Sequence, residues 1–378
     1  MSGPTSRAAL ARRTGLAKQT VSTIVAGLLA DGVVREVGRD EPEPGGGRPG
    51  TLVAYAADRA LVVGVELGVG RMRITLADAL GAPVAERELP TGRRRRPPDD
   101  VLDEVVSTLS SAAGPNGGLH RLRAVGVSVT GLVQPSTGTC VLAANLGWRR
   151  VPVAALLRSR LDEIGVDAPV LVRNAAQASL IAEHRLGAAM GEDDVVLVFE
   201  DEGVGAAVIE HGRLLDGSDG TAGELGHCTW PGAETRCGCG RRGCVETVAS
   251  GPAVRRVVEQ VTGRRLRPRD GVPTLAALAR LDGAEVDEAA ARAGRVLGTA
   301  ASWLVALTAP RLVVLSGSLV AAPPALRSAL ETAVRGAGLP SQRPRVVTGM
   351  LGESAALRGA TLLALDQARS APTRWASA

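Results

Sequence analysis

The sequence predicts an α/β protein that carries a small separate module at its N-terminus. From Arg59 onward, Val-rich runs of strand length alternate with segments of helical periodicity, the pattern of strands connected by helices. Before that point, two short helical runs are followed by two runs of alternating apolar and polar residues. The 378 residues allow two or three domains, and an apolar fraction of 45% supports sizeable cores.

The N-terminal module, residues 1–56, has the pattern of a winged helix-turn-helix. Apolar residues recur at helical spacing over residues 8–12 and 21–29, and a short turn containing Gly15 separates the two runs. Residues 33–37 and 51–54 alternate as two strands around the loop EPEPGGGRPG, which is too rich in Gly and Pro for regular structure. We expect this loop to form a wing.

The second helix of this module begins with side chains that suit DNA recognition. Amide, hydroxyl and ammonium groups can reach base edges and phosphates from a helix in the major groove. The basic residues up to Ala30 have no acidic residue among them, as a phosphate-facing surface requires. An ordinary solvated helical hairpin is the alternative. The residues predicted to contact DNA are Lys18, Gln19, Thr20, Ser22, Thr23 and Arg48.

A helix-turn-helix of this kind normally rests on a third helix placed before the pair. Only residues 2–5 precede the first helical run. We expect either that the true start lies upstream of Met1 or that the module lacks its first helix and binds DNA with impaired affinity.

The sequence lacks the features of membrane proteins and of secreted proteins. No apolar run reaches eighteen residues, and no N-terminal stretch has the pattern of a secretion signal. We therefore expect a cytoplasmic protein without membrane contact. The net charge of +5 is modest, so a basic surface for a partner must be local.

The following strands and helices can be placed in order. Residues 61–78 and 83–90 indicate a strand, a tight turn and two further strands, and residues 122–133 indicate a strand and a turn. Residues 167–188 indicate a strand followed by a helix. Residues 194–215 indicate a hairpin, and residues 310–320 a late strand that leads into a Gly turn.

The segment GELGHCTWPGAETRCGCGRRGCVE, residues 223–246, concentrates the residue types that bind metals. One imidazole and three thiols could fill all four positions of a tetrahedral Zn²⁺, which leaves none for water or substrate. The sequence therefore predicts a structural zinc site made of His227, Cys237, Cys239 and Cys244. A disulfide or unligated buried thiols are the alternatives, although C-x-C pairs seldom have disulfide geometry.

From Leu61 to its end the chain resembles the ROK family, which groups sugar kinases with sugar-responsive repressors; CGCGRRGCVE and GELGH carry the resemblance. With the winged module in front, the chain is similar to the xylose and N-acetylglucosamine repressors of that family. The resemblance implies an actin-like, ribonuclease-H-like ATPase fold of two lobes with a sugar cleft between them. We expect residues 60–175 with the C-terminal helix to form one lobe and residues 176–355 the other.

The resemblance also implies which residues bind sugar. Asn174, Glu224, His227 and Glu246 match positions that hold pyranose hydroxyls, and Asn145 is a weaker match. An amide and carboxylates suit a polyol because each can share several hydrogen bonds. If one nitrogen of His227 binds metal and the other faces sugar or a neighbour, the two sites are coupled. Surface carboxylates beside a metal loop are the alternative for Glu224 and Glu246.

The kinase motifs of that family are altered. Ala175 stands where the kinases have the Asp that acts as general base, and loss of such a base lowers a rate by roughly 10²–10⁴. The first phosphate turn, residues 66–71, has Val69 and Arg71 in place of a small Gly and a Lys, and has lost a hydroxyl. Glu202 replaces a hydroxyl residue in the second turn, where a carboxylate would repel phosphates, and residues 316–318 replace a Gly-Gly pair.

The sequence therefore predicts a sugar-responsive transcriptional regulator, a repressor without catalytic activity. We expect it to bind operator DNA as a homodimer or a dimer of dimers, a monosaccharide or sugar derivative as effector, and Zn²⁺ as cofactor. An ATP-dependent sugar kinase with a fused DNA-binding domain is one alternative. A degenerate protein that binds neither ligand nor DNA is another.

Overall fold

The computed structural model describes residues 3–40, 49–92, 95–114, 118–266, 274–336 and 343–370. Its N-terminal part combines two helices with a three-stranded antiparallel sheet of order β1-β3-β2. The two predicted helices and two predicted strands are confirmed, and the short β1, which the sequence did not indicate, adds a third strand. The elements are β1 (Thr5–Ser6), α1 (Arg7–Thr14), α2 (Lys18–Ala30), β2 (Val34–Arg39) and β3 (Thr51–Tyr55).

A helix cap, a glycine turn and a small apolar core set the geometry of this N-terminal module. Ser6 caps α1, because its hydroxyl accepts a hydrogen bond from the backbone N–H of Ala9. Gly15 ends α1 in the left-handed region with φ of 70°, which turns the chain into α2. Val21 and Val25 on one face of α2 pack on Val53 of β3 in a small apolar core.

The next part is built on a five-stranded sheet of order β11-β7-β4-β5-β6. Strands β7 and β11 run parallel to β4, whereas β5 and β6 form antiparallel hairpins. A second sheet, of order β10-β9-β8, lies between β7 and α4 in the sequence. The elements are β4 (Leu61–Leu67), β5 (Gly70–Asp78), β6 (Pro83–Gly92), α3 (Pro98–Ala112), β7 (Leu122–Val129), β8 (Leu132–Gln134), β9 (Thr139–Ala143), β10 (Trp148–Val151), α4 (Val153–Glu163) and β11 (Val170–Asn174).

The last part is built on another five-stranded sheet, of order β14-β13-β12-β15-β16. Strands β12, β15 and β16 are parallel, and β13 pairs antiparallel with β12. The elements are α5 (Ala175–Leu186), β12 (Val195–Glu200), β13 (Val204–Glu210), β14 (Arg213–Leu214), α6 (Glu246–Ala249), α7 (Gly251–Thr262), α8 (Thr274–Leu278), α9 (Ala284–Thr308), β15 (Leu312–Gly317), α10 (Pro324–Gly336), β16 (Arg345–Thr348) and α11 (Ala355–Ser370). The predicted strands, hairpins and strand-to-helix unit after residue 60 are confirmed.

Helix α11 joins the two large sheets through very close backbone contacts. A Cβ atom on Gly126 of β7 would lie 1.9 Å from the carbonyl oxygen of Ala360, and one on Gly359 would lie 1.8 Å from that of Ala178. Glycine at these positions therefore lets α11 lie directly on β7 and on α5. The β4–β5 turn lies close to the β12–β13 turn, since a Cβ atom on Gly68 would lie 3.7 Å from Asp201 Oδ2. Among the described helices, none is both long and apolar enough to span a membrane.

Candidate functional site

The predicted metal ligands lie together in one loop. The donor atoms of His227, Cys237, Cys239 and Cys244 are all within 4.8 Å of one another. Cys239 Sγ is 3.7 Å from Cys244 Sγ, and Cys237 Sγ is 3.7 Å from His227 Nδ1. Four soft donors at these separations surround a single point, which is the arrangement a tetrahedral metal site requires. All five cysteines are free thiols in the structure.

Two thiols of this cluster, Cys237 and Cys244, lie in surroundings that favour their protonated form. Burial raises the pKa of the Cys237 and Cys244 thiols, and the Cys237 thiol donates a hydrogen bond to Glu246 Oε1 at 2.8 Å. A bound divalent cation would replace these protons, because thiolate is the form that ligates metals. The buried thiols and the imidazole therefore fit a metal ion.

Close packing on β13 places the loop that carries Glu224 and His227. A Cβ atom on Gly223 would lie 2.1 Å from the carbonyl oxygen of Ala206, and one on Gly226 would lie 2.1 Å from that of Val204. The GELGH motif thus needs both glycines because the loop backbone lies directly on the strand. Glu224 is held between them and points into the space between the two large sheets.

That space is a cleft of about 660 Å³, open solvent included. Its wall combines apolar side chains with a few convergent polar groups, as the walls of small-molecule sites do. All four predicted sugar-binding residues line it, as does Asn145. The polar lining residues are Thr130, Asn145, Asn174, Asp201, Glu224, His227 and Glu246.

The metal cluster and the cleft share His227. Its Nδ1 faces Cys237 and lies 3.8 Å from Glu246 Oε1, and its Nε2 lies 3.8 Å from Glu224 Oε2. Burial raises the pKa of Glu224, His227 opposes that rise, and Glu246 adds to it. A metal bound to Nδ1 would fix the orientation of the imidazole ring and so keep Nε2 facing Glu224 and the cleft.

Asn174 has two functions in the structure. It ends β11 and caps α5, because its Oδ1 accepts a hydrogen bond from the backbone N–H of Gln177 at 2.7 Å. The side-chain oxygen thus stabilises the start of α5, and the side-chain NH₂ group remains to donate a hydrogen bond into the cleft. Ala175 follows at the start of α5 and lines the same cleft with a methyl group.

The first phosphate turn is filled by the protein's own ion pairs. Arg71 is 5% exposed, and its Nη1 lies 2.7 Å from Glu353 Oε2. Arg73 Nη2 lies 2.6 Å from Glu66 Oε2. Burial raises the pKa of Glu66, although both arginines lower it. Carboxylates therefore surround the Arg71 guanidinium, which occupies this turn.

Glu202 does not face the cleft as the sequence suggested. Its Oε1 accepts hydrogen bonds from the backbone N–H and the hydroxyl of Thr274, at 2.9 and 2.6 Å. Asp201, which the sequence analysis did not single out, lines the cleft instead. In the turn after β15, a Cβ atom on Gly317 would lie 2.3 Å from the carbonyl oxygen of Glu200. The Ser318 hydroxyl donates a hydrogen bond to the Glu200 carboxylate.

The predicted DNA-contacting residues lie on one side of α2. Val21 and Val25 are buried, whereas Lys18, Gln19, Thr20 and Thr23 are exposed and Ser22 is half-buried. The first turn of α2 carries no acidic residue. Arg48 and most of the predicted wing loop, residues 41–48, lie outside the described residues. The start of α2 therefore exposes polar side chains and one cation, Lys18, whereas Ile24 further along the helix is an exposed apolar residue.

Comparisons with known proteins agree with this architecture. The ROK family model matches residues 62–367. The xylose repressor of Caldicellulosiruptor bescii is 28% identical over 268 residues, which are 70% of this chain and 64% of that protein. The chain thus matches less than two thirds of that relative's length. The DNA-binding transcriptional dual regulator NagC of Escherichia coli is 27% identical over 339 residues, covering 88% of this chain and 81% of that protein.

Two solved structures are similar over most of the fold. A ROK family transcriptional regulator, homolog of the E. coli MLC protein, has a TM-score of 0.74 at 23% identity, covering 99% of this chain and 95% of that one. A ROK family glucokinase from Streptomyces griseus, in complex with glucose and AMPPNP, has a TM-score of 0.66 at 26% identity. That match covers 80% of this chain and 99% of the glucokinase.

Proposed function

Because the chain belongs to the ROK family, we propose that it is a sugar-responsive transcriptional repressor. Residues 1–56 would bind operator DNA, and residues 60–378 would form the effector domain. We propose that this domain has two lobes, residues 60–175 with the C-terminal helix and residues 176–355; the two separate five-stranded sheets support this division. The named repressors among its relatives support this function over a kinase.

The polar cleft is the observation that carries this proposal. The Asn174 amide, two carboxylates and an imidazole converge on it, whereas Ala175 contributes only a methyl group. Such a site can hold the hydroxyls of a monosaccharide or sugar derivative without activating one of them. We assign sugar binding to Asn174, Glu224, His227 and Glu246.

The cysteine and histidine cluster would hold a structural Zn²⁺. The ligands would be Nδ1 of His227 and the thiolates of Cys237, Cys239 and Cys244, which fill the four positions zinc prefers. The ion would supply a rigid link between the GELGH loop and the start of α6. Glu224 and Glu246 would then keep their places at the cleft.

Phosphoryl transfer is disfavoured by the first phosphate turn. A nucleotide phosphate bound there would have to enter among Glu66, Asp201 and Glu353, three carboxylates gathered around Arg71. Like charges at such distances in a buried site oppose binding strongly. The kinase alternative therefore requires a rearrangement of this ion cluster.

The exposed side of α2 would enter the major groove. The side chains that would contact DNA belong to the first two turns of this helix, where a recognition helix meets base edges. They are Lys18, Gln19, Thr20, Ser22 and Thr23. Arg48 would contact DNA from the wing. Two modules would read two half-sites, which requires a homodimer or a dimer of dimers. We place the protein in the cytoplasm, where such operators are.

A ligand screen tests this proposal. Purified chain would be screened against neutral monosaccharides and their phosphates by thermal shift, and hits would be titrated by calorimetry in wild type and E246Q. We expect at least one sugar to bind, and E246Q to weaken it by about tenfold or more, the value of a hydrogen bond to a charged group. Arg295→Gln, on the exposed side of α9, should bind as wild type does. Sugar-dependent ATP hydrolysis by the wild type would favour the kinase instead.

A further inference from the structure

Three consecutive acidic residues at the β12–β13 turn have different surroundings. Glu200 accepts hydrogen bonds from the backbone N–H of Gly251, at 2.8 Å, and from a serine hydroxyl. Glu202 accepts from the backbone and hydroxyl of Thr274. The middle residue, Asp201, is 6% exposed and lines the cleft. Of the three carboxylates, Asp201 is the one placed to meet a ligand.

Arg71 lies farther from the carboxylate of Asp201 than from that of Glu353. Arg71 Nη2 lies 3.6 Å from Asp201 Oδ2, beyond hydrogen-bond distance, whereas Arg71 Nη1 lies 2.7 Å from Glu353 Oε2. Arg73 is committed to Glu66 at 2.6 Å. The two guanidinium groups thus face three carboxylates, so the cluster carries an excess negative charge when all are ionised.

We propose that Asp201 is an effector-binding residue whose carboxylate accepts hydrogen bonds from sugar hydroxyls, in partial exchange for its contact with Arg71. This inference rests on the proposed sugar site. A buried carboxylate without good hydrogen bonds is unfavourable, and hydroxyl donors in the cleft relieve it. Glu224 and Glu246 already line the cleft, and Asp201 adds an acceptor from the β12–β13 turn.

The position of Asp201 gives the exchange a structural consequence. Its Oδ2 lies 3.7 Å from where a Cβ atom on Gly68 would be, which places it against the β4–β5 turn of the other large sheet. Arg71 bridges the same two turns, because it contacts Glu66 on one side and Asp201 on the other. A ligand that draws Asp201 away from Arg71 thus alters the contact between the two sheets. Ligand binding can shift a conformational equilibrium only through such a difference between states.

Calorimetric titration of the full chain tests the inference. The probe is the monosaccharide that stabilises the wild type most in the screen, together with its monodeoxy analogues. We expect D201N to weaken binding by about tenfold or more, and the matched control E202Q, which removes the adjacent charge outside the cleft, by less than about threefold. For the deoxy analogue that lacks the hydroxyl contacting Asp201, wild type and D201N should bind equally. Asp201→Ser serves as a second variant.

Each result separates this inference from the proposed function. If D201N and D201S bind the sugar as wild type does while E246Q binds weakly, the inference fails and the sugar site stands. If D201N weakens every deoxy analogue to the same extent, Asp201 acts only through the fold and the inference fails. If no sugar binds the wild type, the proposed function fails and this inference fails with it.

Discussion

Replacing Asp201 with asparagine should stabilise the ligand-free protein at neutral pH. Burial raises the pKa of Asp201 from 3.8 to about 6, although the Arg71 guanidinium lowers it and Glu66 and Glu202 raise it further. A carboxyl group with this raised pKa is more easily protonated in the folded chain than in the unfolded chain. Asparagine has the same shape as the protonated group and stays neutral at every pH.

The size and direction of this effect follow from the pKa. The stability that protonated Asp201 contributes is complete below about pH 4 and is lost as the pH rises through about 6. The rise in pKa corresponds to at most about 3 kcal/mol of unfolding free energy. The stability of D201N relative to wild type should therefore be near zero at pH 4 and should increase until about pH 7.

Hydrogen exchange of the β12 and β13 amides measures this difference. Local opening is a better observable than global unfolding, because a chain with several cores need not unfold in one step. Exchange would be followed by mass spectrometry between pH 4 and pH 8 without sugar, with correction for the intrinsic rate at each pH. E202Q controls for removal of the neighbouring charge. A difference between D201N and wild type that does not change with pH, or a D201N that is less protected at pH 7, would refute the reasoning.

Three further predictions concern the metal, the DNA and the chemistry of the cleft. Purified wild type should hold about one zinc per chain by elemental analysis. C239S should lose both the metal and thermal stability, because structural zinc contributes binding free energy to folding. C140S, at a buried cysteine outside the cluster, is the control. K18A should weaken operator binding in filter or anisotropy assays, with a salt dependence shallower by about one if Lys18 contacts a phosphate; an unchanged slope and affinity would remove Lys18 from the interface. A175D should show no sugar phosphorylation in a coupled assay, because the ion cluster around Arg71 remains; measurable turnover by wild type or by A175D would contradict this expectation.

Much of the fold could be predicted because its elements have strong local signals. The strand β4, the hairpin after it and the unit β11–α5 are Val-rich runs bounded by Gly, Asn or helical periodicity, and such patterns depend little on the rest of the chain. The metal cluster could be predicted for the same reason. Its ligands are close in sequence, so spacing alone brings them together.

The parts that could not be predicted depend on contacts between distant segments. The direction of Glu202 is decided by Thr274, which lies seventy-two residues later and supplies two hydrogen-bond donors. Arg71 finds Glu353 only because α11 returns to the first large sheet. The sequence analysis gave Asn174 a role in sugar binding only, whereas its Oδ1 also caps α5. A signal was present in the acidic run at residues 200–202, since three buried carboxylates at one turn require three different sets of partners.

The central claim is that a sugar in the cleft controls DNA binding without chemistry. The measurement is the affinity of the purified chain for an operator fragment selected from genomic DNA, with and without the sugar found by calorimetry, in the absence of nucleotide. We predict that saturating sugar changes the DNA affinity by about fivefold or more, and that the operator changes the sugar affinity by the same factor, because binding free energies are reciprocally linked. An operator affinity that sugar leaves unchanged, or a change that requires ATP, would contradict the account.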